Sequence, residues 1–161
     1  MAEFGEIYNA YFKDIYLYIY SLSGDRHTAE DITSETFLKA LESIDSFRGT
    51  CDLRVWLCQI AKNSYFSYLR REKKFVNMEK IPEKAAAHDV ERIITLSEAS
   101  MKAHDILRNL GEPYRGVFSL RHFNELSFKK IAALFGKSEN WACVTYHRAR
   151  KKIKKQMEGY R

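Results

Sequence analysis

The chain has 161 residues, 45% hydrophobic and 30% charged, the make-up of a soluble globular protein and not of a disordered one. Lys and Arg outnumber Asp and Glu by 27 to 21, and the excess is uneven: residues 1–74 hold ten basic against eleven acidic side chains, residues 97–161 fourteen against six. A basic surface confined to the C-terminal part points to a polyanionic partner for that part alone.

The start, MAEFGEIYNAYF, has neither a basic n-region nor a small-residue cleavage site, and no apolar run is long enough to span a bilayer. A cytoplasmic location is expected. Cys51, Cys58 and Cys143 are odd in number, form no CxxC and have no histidine at ligand spacing, so no metal, cofactor or disulfide framework is expected.

Taken in chain order, Phe4, Ile7, Tyr8, Tyr11, Phe12, Ile15, Tyr16 and Ile19 recur at helical spacing and predict a first helix ending near Ser23-Gly24. A second is predicted from Arg26–Thr28, with Ala29, Ile32, Thr36, Phe37, Ala40 and Leu41 inward and Glu30 and Asp31 suited to its positive N-terminal end. The SFRGTC stretch reads as a loop. A third helix begins at Leu53 and runs to Arg70-Arg71, with Trp56 in its apolar stripe beside Leu57 and Ile60 and expected in the core.

Residues 75–96 carry Pro82, Ala85-Ala86-Ala87 and mixed charges without a stripe, and read as a linker. Helices are then expected at about 97–110, 113–123, 127–135 and 138–155, with Pro113 in a first turn. The fold class is all-α: two small helical domains, 1–74 and 97–161, joined by the 75–96 linker.

SFKKIAALFGKSENWACVTYHRARKKI has the form of a helix-turn-helix. Ile131, Ala132 and Leu134 face inward on its first helix, Gly136 permits the turn, and Ser138 caps the second helix. On that second helix Ala142, Tyr146, Ala149 and Ile153 form the inner face. At 100° per residue the opposite face carries Asn140, Val144, His147, Arg148 and Lys151, extended by Lys154 and Lys155. Acidic residues are missing from the run until Glu158, whereas a merely solvated face mixes both signs. This points to a helix that meets a DNA major groove, with Arg148 able to fork onto a guanine edge.

TAEDITSETFLKAL, FRGTCDLRVWLCQIAKN, LGEPYRGVFSLRHF and FKKIAALFGKSENWACVTYHRARKKI, in that order, resemble the extracytoplasmic-function group of bacterial sigma factors. The resemblance implies a non-enzymatic subunit that binds core RNA polymerase, opens the −10 promoter element with its first domain and reads the −35 element with its second. It implies polymerase binding through Glu30, Asp31, Glu35, Thr36 and Phe37. It implies −10 recognition by Phe47, Arg48, Gly49, Thr50, Cys51 and Asp52, with Arg54, Lys62, Asn63, Arg70 and Arg71 along the displaced strand. A pocket that takes a base out of the stack must return a few kcal/mol through stacking and edge hydrogen bonds. The −35 residues implied are Lys130, Asn140, Cys143, Val144, His147, Arg148 and Lys151. An anti-sigma partner is a further implication. Ser34, Gln59 and Lys130 depart from the family's usual Gln, Arg and Glu.

Two other readings compete on the residues alone. A free-standing operator-binding dimer explains the helix-turn-helix but leaves the first two quoted segments without a role. A metal-dependent nuclease built on Asp31 and Glu35, at i and i+4, lacks any further convergent carboxylate.

Overall fold

In a computed structural model, residues 2–47, 49, 52–74 and 105–158 are described; the expected linker lies outside them, as does the start of the helix expected at 97–110. The described elements are helices α1 (Ala2–Ser23), α2 (Arg26–Ser43), α3 (Leu53–Lys74), α4 (Tyr114–His122), α5 (Phe128–Phe135) and α6 (Glu139–Glu158). A single 3-10 turn, Ile44–Ser46, follows α2, and residues 105–108 are helical. No strand occurs among the described residues.

The aromatic stripe of α1 turns into the core, where Ile15, Tyr16, Tyr18 and Ile19 are almost wholly buried. Phe12, Tyr16 and Tyr20 stack one turn apart, with ring centroids 6.3 and 6.0 Å apart, because i and i+4 lie one above the other on a helix. Gly24 ends α1 at φ +70°, a conformation that favours glycine. Asp25 then caps α2, its carboxylate accepting from the Thr28 amide at 3.1 Å. Glu30 and Asp31 consequently lie beyond the first turn of α2, and the expected charge complement at that end falls to Asp25 instead.

The inner face of α2 is Thr28, Ala29, Ile32, Thr33, Thr36, Phe37 and Ala40. Leu41, expected inward, is 39% exposed and Leu38 62% exposed. The Ile32, Thr36, Ala40 row already fills the contact with α1 and α3, and Leu41 falls to the side of it. Burying a side chain such as Leu57 of α3 contributes about 1.5–3 kcal/mol. Trp56 is half-buried against the core and against the Phe47 ring, centroids 4.8 Å apart.

Pro113 stands one residue ahead of its expected place, at the N-cap of α4, after a cis Glu112–Pro113 bond. Ser127 caps α5 through the Lys130 amide at 3.2 Å. Gly136 closes α5 at φ +65°, its amide and that of Lys137 turning back to Ala133 and Ala132. Ser138 caps α6 as expected, accepting from the Trp141 amide at 3.0 Å. The inner face of α6 is Ala142, Thr145, Ala149 and Ile153; Tyr146 is half-buried, its ring between Phe118 at 5.6 Å and Phe128 at 5.5 Å.

α1, α2 and α3 form one bundle and α4, α5 and α6 another. The two share an apolar core that runs from Phe12, Leu57 and Ala61 to Val117, Leu120 and Ile131, with α1 against α4 and α3 against α5, while Ile106, Leu107 and Ile153 form a second, smaller cluster.

Candidate nucleic-acid and polymerase interfaces

Helix α6 carries six Lys and Arg residues against two Glu, one at each end. Four buried side chains anchor it, so the remaining arc is presented outward: Asn140, Val144, His147, Arg148, Lys151, Lys154 and Lys155 are all exposed. Arg148 and Lys151 form no ion pair among the described residues. An Arg with its fork free can donate to two acceptors at once, and the lysines behind it sit on the same side of the helix to meet phosphates. Cys143 is half-buried at the edge of this face and is a free thiol. Lys152, by contrast, lies over the Tyr114 ring at 5.1 Å and serves the packing of α6 on α4.

The first bundle places its expected DNA-facing residues less uniformly. Gly49 is exposed at φ +67° with open space around its Cα, and Phe47 leans on Trp56. Arg48, Thr50 and Cys51 lie outside the described residues. Asn63, Arg70 and Arg71 are exposed; Arg70 donates to Ser67 Oγ at 3.0 Å, and Asn63 accepts from Gln59 Nε2 at 3.1 Å. Asp52 receives the Arg54 amide at 3.0 Å and the Lys130 ammonium at 2.7 Å, which together hold its carboxyl below the usual range. Lys130, assigned to the −35 set, is therefore paired here with a residue of the −10 set. Arg54 is half-buried between Asp14, at 3.3 Å, and the Asn124 carbonyl, at 2.7 Å. Lys62 donates to the Leu134 carbonyl at 2.6 Å and lies over the Phe135 ring, and burial pulls its ammonium below its ordinary value.

The α2 face divides differently from the expectation. Asp31 is exposed and pairs with His27 at 3.2 Å, Glu35 stands 4.0 Å from Lys39, and Glu30 is half-exposed. Thr36 and Phe37, expected at a polymerase surface, are inside the bundle: the Thr36 hydroxyl donates to the Ile32 carbonyl, and the Phe37 ring packs on Phe4, Tyr8 and Phe12. They shape the helix from within. The outer face offers a shallow apolar groove bordered by Tyr8, Ser34, Leu38 and Leu41 beside the acidic residues and lined also by Phe4 and Phe37. Leu38 and Leu41 are the two apolar side chains of α2 that its buried face leaves outside.

Among the described residues no helix is long and apolar enough to cross a membrane, and no group of His, Cys, Asp and Glu is placed to hold a metal ion. Asp31 and Glu35 each face a basic or imidazole side chain instead.

Residues 7–75 match the Sigma-70 region 2 family and residues 100–153 the Sigma-70 region 4 family. The RNA polymerase sigma factor YlaC of Bacillus subtilis (strain 168) is 31% identical over 94% of this chain and 90% of its own length. The chain belongs to the sigma-70 family, in its extracytoplasmic-function group. The ECF RNA polymerase sigma factor SigM of the same organism is 30% identical over 92% of this chain and 91% of its own. The sigma factor RpoE in complex with the anti-sigma factor NepR, from Bartonella quintana, shares the fold over the full length of both chains, with a TM-score of 0.80 at 22% identity. CnrH in complex with the cytosolic domain of CnrY shares it with a TM-score of 0.69, over 97% of this chain and 88% of that one.

As a sigma factor the protein is a non-enzymatic initiation factor by class, and its partners are core RNA polymerase and promoter DNA. The region 2 match spans α1 to α3, and with it the α2 groove and the Asp52–Lys62 surface. The region 4 match takes in the helix-turn-helix of α5 and α6.

Proposed function

We propose that this sigma factor divides promoter recognition between 1–74, which docks on core polymerase and handles the −10 element, and 97–161, which reads the −35 element, with 75–96 as the tether. Helix α6 enters the major groove with Asn140, Val144, His147, Arg148 and Lys151 toward the bases, while Lys130, Lys154 and Lys155 reach the backbone. Cys143 and Val144 offer apolar contact to a thymine methyl in place of a hydrogen bond. Phe47 to Asp52 capture a base of the −10 element, and Arg54, Lys62, Asn63, Arg70 and Arg71 follow the displaced strand.

Polymerase binds the outer face of α2. There Leu38, Leu41 and Tyr8 supply apolar area, while Glu30, Asp31 and Glu35 meet basic residues of the partner. Polymerase performs all the chemistry, so the sigma factor itself is no enzyme. It works in the cytoplasm, and an anti-sigma factor is the natural regulator, as the sigma factor RpoE of similar fold is held in complex with the anti-sigma factor NepR.

The observation that carries this reading is the exposed face of α6, single-signed and entered through a glycine turn and a serine cap. Run-off transcription on a pool of promoter fragments, with core polymerase alone and then with this protein, tests it. New start sites preceded by shared −35 and −10 sequences are expected. DNA binding without new transcripts would indicate an operator-binding regulator.

A further inference from the structure

The seam between the two bundles holds two carboxylates, and neither has a cation to itself. Asp14 of α1 is half-buried and takes one arm of the Arg54 guanidinium at 3.3 Å. The other arm crosses the seam and donates to the Asn124 carbonyl at 2.7 Å. The residue after Asn124 is Glu125, held at φ +53°, where a residue with a side chain is strained. Packing therefore sets a second carboxylate, from the opposite bundle, towards Asp14. The charged groups facing Asp14 are Arg54 of α3, Lys13 of its own helix and Glu125.

Glu112, just ahead of α4, repeats the pattern further along α3. It accepts from Arg115 Nε at 3.3 Å and from the Gly116 amide. Its carboxylate lies so close over Gly116 that a Cβ there would stand 2.8 Å from Oε2 and 3.0 Å from the Phe135 ring. Arg115 is itself divided, since its Nη1 donates to the Arg108 carbonyl at 3.3 Å. From the first bundle Lys62, Tyr18 and Tyr65 face Glu112, and Lys62 is engaged by the Leu134 carbonyl at 2.6 Å. At both places the loss of water outweighs a shared guanidinium, and burial pushes the Asp14 and Glu112 carboxyls above their ordinary 3.8 and 4.5.

We infer that Asp14 and Glu112 form a proton-operated latch between the bundles: each takes up a proton on packing, so the seam tightens as pH falls and loosens as it rises. An ionised carboxylate penalises the packed form. That penalty disappears as pH falls through the raised value, and the gain is complete below the ordinary one. Asp52 acts in the opposite sense, because Lys130 holds its carboxyl below the usual range and its contribution is lost on acidification. The latch therefore works between neutrality and the ordinary carboxylate range, above the point at which the Asp52 pair fails.

Cys58 supplies the readout. It is fully buried at the seam, its thiol donating to Asn124 Oδ1 at 3.7 Å, so a thiol reagent meets it when the bundles separate. The full-length protein is treated with dithiodipyridine, wild type and variant are compared at the same pH, and labelling at Cys58 and at Cys143 is read by peptide mass spectrometry. Asp14→Asn and Glu112→Gln stand in for the protonated groups. At about pH 7.5 each is expected to label at Cys58 about threefold or more slowly than the wild type, and at about pH 5 at nearly the wild-type rate, with Cys143 alike throughout. Equal or faster labelling of the variants at the higher pH would mean that the pairs with Arg54 and Arg115 outweigh burial, and overturns the latch. A difference that does not change with pH, the mark of a merely structural role, overturns it too. Glu125→Gln guards against a folding failure in the first two variants, because Glu125 is exposed. It removes the like charge facing Asp14 and should slow Cys58 labelling at the higher pH; an unchanged rate overturns the part assigned to Asp14.

Discussion

Arg148 stands on the exposed arc of α6 with no ion pair among the described residues, and a guanidinium so placed is worth most where it meets two acceptors of one base. Arg148→Ala is expected to weaken binding of a duplex with a matched −35 element by about 1–3 kcal/mol, and to change binding of a scrambled duplex far less. Fluorescence anisotropy on the two duplexes measures this, and equal losses on both would make Arg148 a phosphate contact. Asp52 carries a pH signature whose sign follows from its partners. Lys130 and the Arg54 amide favour the carboxylate, so its folded pKa lies below the ordinary 3.8. The stability it contributes is therefore present above the unfolded value and is lost as pH falls through the depressed folded one. Acid titration of the wild type against Asp52→Asn should show their stabilities converging below about pH 4. The Arg148 arc was legible in the sequence, because charge sign and a 100° repeat suffice to draw a helix face. The partners of Arg54, Lys62 and Lys130 were not, since each lies 70 or more positions away with no periodic trace.

Helix α2 shows why a face assigned from spacing alone can be wrong at its margins. The period placed Leu41 inward with Ala40, but the core admits the Ile32, Thr36, Ala40 row and leaves Leu38 and Leu41 outside. Phe37 and Leu38, neighbours in sequence, consequently have opposite consequences when changed. Phe37→Ala should destabilise the protein by about 3–5 kcal/mol in urea unfolding, because it empties a site among Phe4, Tyr8 and Phe12. Leu38→Asp combined with Leu41→Asp should leave the urea midpoint nearly unchanged and reduce co-elution with core polymerase by about tenfold or more, the loss expected when exposed apolar area at a docking face is replaced by charge. A fall in midpoint equal to that of Phe37→Ala would place both leucines in the core. The helix-turn-helix was read more fully than α2, because its glycine turn and serine cap announce themselves in sequence. Asp25, the cap of α2, carries no such announcement, because no hydrophobic run begins immediately after it.

At the scale of the whole molecule, the charge segregation seen in the sequence survives in three dimensions as a basic α6 and an acidic α2 face on separate bundles. One end suits DNA, the other a basic protein surface. Because phosphate contacts dominate such DNA binding, promoter affinity of the holoenzyme should fall by roughly two to three decades between 50 and 200 mM salt if about five phosphates are neutralised. A flat salt profile would remove α6 from the interface. The two-bundle, all-helical plan followed from hydrophobic spacing, whereas the core shared by the bundles did not, since either helix set could have closed on itself. The most direct measurement is a paired footprint of the holoenzyme on one promoter, with DNase I upstream and permanganate at the start site. Protection over the −35 element that Arg148→Ala abolishes, together with permanganate-reactive thymines in the −10 element that Lys62→Ala diminishes, is the expected result. Upstream protection without reactive thymines, or opening indifferent to both substitutions, would contradict the division of the promoter between the two bundles.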